Sequence, residues 1–92
     1  MPTRRVHVVI EGLVQGVFFR ACTKDEASRI GLTGWVRNRP EGTVETVIEG
    51  ETSQVAAMIR WLQIGSPQSS VTRVLTTEEQ PTDEYSDFSI RS

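Results

Sequence analysis

VHVVIEGLVQGVFFRACTKDEASRIG, residues 6 to 31, changes its hydrophobic period part-way along, and the fold turns on that change. Val6, Val8 and Ile10 alternate with His7, Val9 and Glu11, the two-residue period of a strand with its first set facing a core. A glycine-bearing turn follows from Glu11 to Gly16. From about Phe19 to Ile30 the spacing becomes helical: Phe19, Thr23, Ala27 and Ile30 recur at steps of three and four, and Lys24, Asp25, Ser28 and Arg29 fall elsewhere. Gly31 stands where a helix-ending glycine belongs.

Outward from this unit, Gly34 to Asn38 predicts a second strand and Pro40-Glu41-Gly42 a turn. Thr43 to Gly50 alternates again, Val44, Thr46 and Ile48 against Glu45, Val47 and Glu49, so the short connection makes a hairpin. Ser53 is an expected N-cap for a second helix with the apolar stripe Val55, Met58, Ile59 and Leu62. Gly65-Ser66-Pro67 ends that helix. Val71, Val74 and Leu75 indicate a fourth strand of unsettled phase, and Phe88 and Ile90 a fifth element. The order β-α-β-β-α-β plus an end strand is the ferredoxin-like α+β arrangement, an antiparallel sheet with two helices on one face. The opposite face is expected to be partly open, with Glu45 and Glu49 forming a solvated acidic row.

The 92 residues predict one domain over 1–92, and the net charge of −2 comes with no run of Lys or Arg. Neither a nucleic-acid surface nor a membrane partner is expected, since no apolar stretch approaches the roughly 20 residues of a membrane span. Met1-Pro2-Thr3-Arg4-Arg5 has charge without an apolar run behind it, so no secretory leader is predicted. One cysteine, Cys22, and one histidine, His7, rule out an internal disulfide and a Cys/His zinc cluster. No metal or cofactor is expected; the lone thiol fits a cytoplasmic location, and a monomer is the default expectation.

The segment Gly12-Leu13-Val14-Gln15-Gly16-Val17-Phe18-Phe19-Arg20 carries the candidate chemistry. A loop from strand to helix start offers free backbone amides and a helix dipole to an anion. Gly16 permits a tight curl with positive φ, and Arg20 adds a planar fork for two phosphate oxygens. No Lys-Ser/Thr follows, so the loop is not of the Mg-nucleotide kind. On these residues alone a plain reading stands beside the functional one: glycine-bearing strand–helix turns are common, and an arginine in a first helical turn is usually solvated.

The stretch GLVQGVFFRACTKDEASRIGLTGWVRNRPEGTVE resembles the acylphosphatase signature, joining a G-x-V-Q-G-V-F-F-R loop to G-W-V-x-N and G-T-V-E strands. The likeness continues into GSPQSSVTRV and YSDFSI, and is strongest to the free-standing, animal-type enzymes. It implies a metal-independent, cofactor-free hydrolase acting on small acyl phosphates, with inorganic phosphate as product and inhibitor. It also implies that Arg20 binds the phosphoryl group, that Asn38 orients the attacking water, and that the amides of Gln15, Gly16, Val17, Phe18 and Phe19 cradle the phosphate. Arg39 to Gly42 follows no pattern that assigns it a role.

Other residues receive plainer expectations. His7 is read as an exposed sheet residue, Cys22 as a half-buried inert thiol, Trp35 as a packing residue and Trp61 as partly buried. At least one of Phe18 and Phe19 belongs in the core. Three rival readings fit the residues less well. An RNA-recognition module would need aromatics on the strand Thr43 to Glu49, which has none. A non-catalytic anion sensor has no use for Asn38. A unit within the carbamoyl-transfer chemistry of a larger maturation protein is less suited to a chain of 92 residues.

Overall fold

The computed structural model describes residues 2–91. The elements are β1 (Thr3–Leu13), α1 (Phe19–Ile30), β2 (Thr33–Asn38), β3 (Val44–Glu51), α2 (Thr52–Ile64), β4 (Ser70–Glu79) and β5 (Phe88–Ile90). They build one sheet of order β4-β1-β3-β2-β5. Its first four strands are antiparallel neighbours, as expected, whereas β5 runs parallel to β2, so the sheet as a whole is mixed.

Strand alternation and helical spacing meet in one core. Val6, Val8, Ile10, Val36, Val44 and Ile48 on the sheet are covered by Phe19 and Ala27 of α1 and by Val55, Met58 and Leu62 of α2, all buried. Each such aliphatic or aromatic side chain contributes about 1.5–3 kcal/mol on burial. Two hydroxyls buried among them are paired. Thr46 Oγ1 donates to the Trp35 carbonyl at 2.6 Å and Thr23 Oγ1 to the Phe19 carbonyl at 2.8 Å, so neither carries the penalty of an unmade bond.

The unsettled phase of β4 has a local cause. Glu11 pairs with Arg73 but Gly12 pairs with Val71, which leaves Thr72 as an extra residue. Val71 and Val74, three apart, consequently both pack on the core, and a strict two-residue period cannot place them. The start of α2 also differs from expectation. Glu51 rather than Ser53 is the N-cap, in a reciprocal box where Gln54 Oε1 accepts the Glu51 N–H at 3.0 Å. Gln54 Nε2 donates to the Ile30 carbonyl at 3.0 Å, and so ties the end of α1 to the start of α2.

Glu45 and Glu49 do not form a solvated row. Glu49 is only 3% exposed because the chain between β4 and β5 folds back over this face of the sheet. Its Oε2 accepts the Thr82 and Asp83 amides at 3.1 and 2.9 Å, and its Oε1 lies 3.6 Å from Arg5 Nη1, an ion-pair separation too long for a hydrogen bond. Trp35 packs beneath the same segment, its Nε1 donating to Tyr85 Oη at 3.0 Å. Charge and alternation point to solvation, but neither can register a cover supplied by residues more than thirty positions away.

Candidate active site

The end of β1, which leads into the loop before α1, holds a glycine with no freedom to change. Gly12 has φ +125°, and a Cβ there would sit 2.1 Å from the Ser70 carbonyl oxygen. Val14 then drops into the core. Gly16, at φ +75°, continues the curl. Phe18 is left-handed too, at φ 59°, a conformation that costs a non-glycine residue roughly 1–3 kcal/mol and concentrates at functional sites. The residue is 76% exposed, whereas the adjacent Phe19 is buried as the core member of the pair.

This geometry leaves the amides of Gln15 to Arg20 without an acceptor among the described residues. The first turn of α1 carries no acidic side chain and no side-chain cap, so its dipole and its free N–H groups remain available to an anion.

Two tethers hold the curl. Ser66, buried at the end of α2, donates its Oγ to the Val17 carbonyl at 3.0 Å, and its own carbonyl accepts Ser69 Oγ at 2.7 Å. Gln15 Nε2 donates to the carbonyls of Arg39 and Thr43, at 2.8 and 2.9 Å, at the two ends of the β2–β3 turn. Gln15 thereby connects the loop to the residue immediately after Asn38.

Arg20, in the first turn of α1, and Asn38, the last residue of β2, line one cavity of about 330 Å³ together with Val14, Gly16, Phe18, Phe19, Ala21 and Ile90. Asn38 Oδ1 is buried and has no hydrogen-bond partner among the described residues. Arg20 forms no ion pair among the described residues and is the only charged residue of the lining. Of the loop residues expected to form the cradle, Gly16, Phe18 and Phe19 border the cavity, whereas Gln15 and Val17 do not. The side-chain role of Gln15, the Ser66 prop and the presence of Ile90 were not foreseen. A polar residue between Val14 and Gly16 in an otherwise apolar turn was the available hint for Gln15. Ile90 offered none.

His7 is not an exposed bystander: its side chain is one-quarter exposed and Nε2 lies 2.6 Å from Glu45 Oε2, away from the cavity. Burial alone would push the Glu45 carboxyl up, but the hydrogen bonds from His7 and Arg37 outweigh it and hold the group below the usual carboxylate range. Cys22 is half-buried, as expected.

Comparison with known proteins identifies the family. The sequence model of the family described as acylphosphatase matches residues 6–90. The chain belongs to the acylphosphatase family. An acylphosphatase of Pelotomaculum thermopropionicum is 46% identical over 90 residues, covering 98% of both chains. Among solved acylphosphatases, that of Coxiella burnetii superposes with a TM-score of 0.92 at 42% identity, covering 97% of this chain and 93% of its own. That of Bacillus subtilis gives 0.93 at 35% identity, covering 97% and 99%. The chain is accordingly an enzyme, and the reaction of the acylphosphatase family is hydrolysis of small acyl phosphates. No helix among the described residues is long and apolar enough to cross a membrane.

Proposed function

We propose that hydrolysis proceeds without a metal, with Arg20 and the amides of Gln15, Gly16, Val17, Phe18 and Phe19 holding the phosphoryl group and Asn38 positioning water. The observation that carries this reading is that Arg20, from α1, and Asn38, from β2, line one cavity in which Arg20 has no carboxylate counter-ion among the described residues. Among the described residues the lining contains no carboxylate, imidazole or thiol, the side chains that hold catalytic metals.

An acyl phosphate needs little help, because a carboxylate is a good leaving group and no general acid is required. Water held by Asn38 attacks phosphorus. The P–O bond to the acyl group breaks, and its electron pair departs with the carboxylate. Asn cannot accept a proton, so the water's proton passes to a phosphate oxygen. Arg20 and the loop amides neutralise the charge that spreads over the equatorial oxygens. The enzyme is read as one domain over 1–92 acting as a monomer in the cytoplasm, the last supported by its single, half-buried thiol.

Benzoyl phosphate hydrolysis with and without EDTA tests the proposal. Turnover should be insensitive to the chelator and competitively inhibited by inorganic phosphate. Arg20→Ala should lose on the order of 10²–10³ in kcat/KM, and Asn38→Ala should lower kcat with little change in KM. Near-normal turnover by Arg20→Ala, or loss of activity in EDTA, would overturn it.

A further inference from the structure

We propose that Ser66, just past the end of α2, is a positioning residue for phosphate binding: its hydroxyl holds the Val17–Phe18 peptide with the N–H toward the anion and the carbonyl away from it. This rests on the reading of Arg20 and the loop amides as the phosphate ligands. Ser66 is buried, and its Oγ donates to the Val17 carbonyl at 3.0 Å. Among the described residues no backbone amide donates to that carbonyl. Ser66 is itself held on both sides. Gly65 lies so close to α1 that a Cβ there would sit 2.8 Å from Phe19 Cε2, and the Ser66 carbonyl accepts the Ser69 N–H at 3.0 Å and Ser69 Oγ at 2.7 Å. Neither Val17 nor Ser66 lines the cavity shared by Arg20 and Asn38, whereas Phe18 does. The Val17–Phe18 peptide is trans, so its C=O and N–H point to opposite sides. A Val17 oxygen held toward Ser66 therefore sends the Phe18 N–H toward the cavity.

The same peptide has a reason to turn over. Phe18 sits at φ 59°, a left-handed conformation uncommon for a bulky side chain. Rotating the peptide by half a turn, with the chain on either side left in place, carries that φ to about −120°, within the broad region open to every residue. The rotation also puts the Val17 carbonyl oxygen where the Phe18 N–H faced the anion, and so replaces attraction by repulsion. Backbone strain thus favours the orientation that rejects phosphate, and the Ser66 bond opposes it. Phosphate binds the orientation with the N–H inward, so its apparent affinity scales with the population of that state. One ordinary hydrogen bond shifts such an equilibrium by about 2–13-fold.

Ser66→Ala tests this. The Ki of inorganic phosphate should rise by about 5–10-fold and the KM for benzoyl phosphate by a similar factor. At saturation kcat should change less than about twofold, because bound substrate restores the inward N–H. This split is the reverse of the one expected of Asn38→Ala. Ser66→Cys keeps the size of the side chain with a weaker donor, should raise Ki by a smaller factor, and serves if the alanine variant does not fold. Phe18→Gly added to Ser66→Ala should return Ki to within about twofold of the wild-type value, since glycine takes a positive φ without strain. A role confined to packing would lower Tm and leave Ki where it was. An unchanged Ki, a fall in kcat with KM unmoved, or a glycine that restores nothing would each overturn the proposal while leaving the phosphate site intact. Phosphate inhibition undiminished in Arg20→Ala would instead remove the site, and the role of Ser66 with it.

Discussion

Replacing Gln15 by alanine removes both bonds that connect the loop to the β2–β3 turn, and its cost can be worked from the partners left behind. The Arg39 carbonyl keeps the Gly42 amide at 3.1 Å, and the Thr43 carbonyl keeps the Arg39 amide at 2.9 Å. Neither is orphaned, so the loss is the net value of two ordinary bonds, roughly 1–3 kcal/mol together. Freed side-chain entropy returns part of it, since an immobilised Gln costs up to about 1.5–2 kcal/mol. A net loss of about 1–2 kcal/mol corresponds to a fall in Tm of roughly 4–15 °C for a domain of this size. The kinetic effect should be larger in proportion. Asn38 directly precedes the released turn, and a displacement near 1 Å of a positioning group costs about 10² in rate. Stopped-flow or steady-state hydrolysis of benzoyl phosphate should therefore show kcat lower by about 10–100-fold, with KM changed little because Ser66 and Val14 still hold the loop. Gln15→Glu should be worse than alanine at neutral pH, where a carboxylate faces two carbonyls, and should recover in part in acid, where the carboxyl can donate. A Gln15→Ala enzyme with unchanged kcat and unchanged Tm would refute the role given to this side chain.

Gly12→Ala combines a forbidden φ with a backbone clash, and should cost roughly 3 kcal/mol or more, visible as a lower urea midpoint and reduced expression. Glu49→Ala strips the acceptor from the Thr82 and Asp83 amides, while Arg5 retains Glu79 and Glu84 at 2.8 and 2.6 Å. The expected loss is about 2–4 kcal/mol, accompanied by a change in Trp35 fluorescence and faster proteolysis between β4 and β5, with little effect on phosphate affinity. Glu45, whose carboxyl is held below its ordinary value, contributes stability that is present above the unfolded pKa and lost as pH falls through the folded one. Urea midpoints between pH 7 and pH 3 should fall in the wild type and fall less steeply in Glu45→Gln.

The order of elements was legible because each is set by contacts among near neighbours in the chain. Val6, Val8 and Ile10 show the strand period and Phe19, Thr23 and Ala27 the helical one, and all but the hydroxyl-bearing Thr23 are members of the apolar core. Gly31 ends α1 in the left-handed conformation its position implied. The failures share a different character. Ser53 lost the capping role to a Glu51–Gln54 pair that satisfies two amides where a serine satisfies one. The strand phase near Val71 failed because one extra residue shifts every side chain beyond it.

At the site, residue type and spacing on their own established the loop, its glycine and the arginine at the helix start, since backbone curvature and side-chain charge are properties of a few consecutive residues. Only the folded chain could bring Asn38 from the end of β2 and Ile90 from β5 to that loop, lock Gln15 onto Thr43 across 28 positions, and bury Glu49 under Asp83 across 34. Such pairings depend on which strands become neighbours and where a returning segment comes to rest. Those outcomes follow from packing of the whole core, and no local window of sequence contains them.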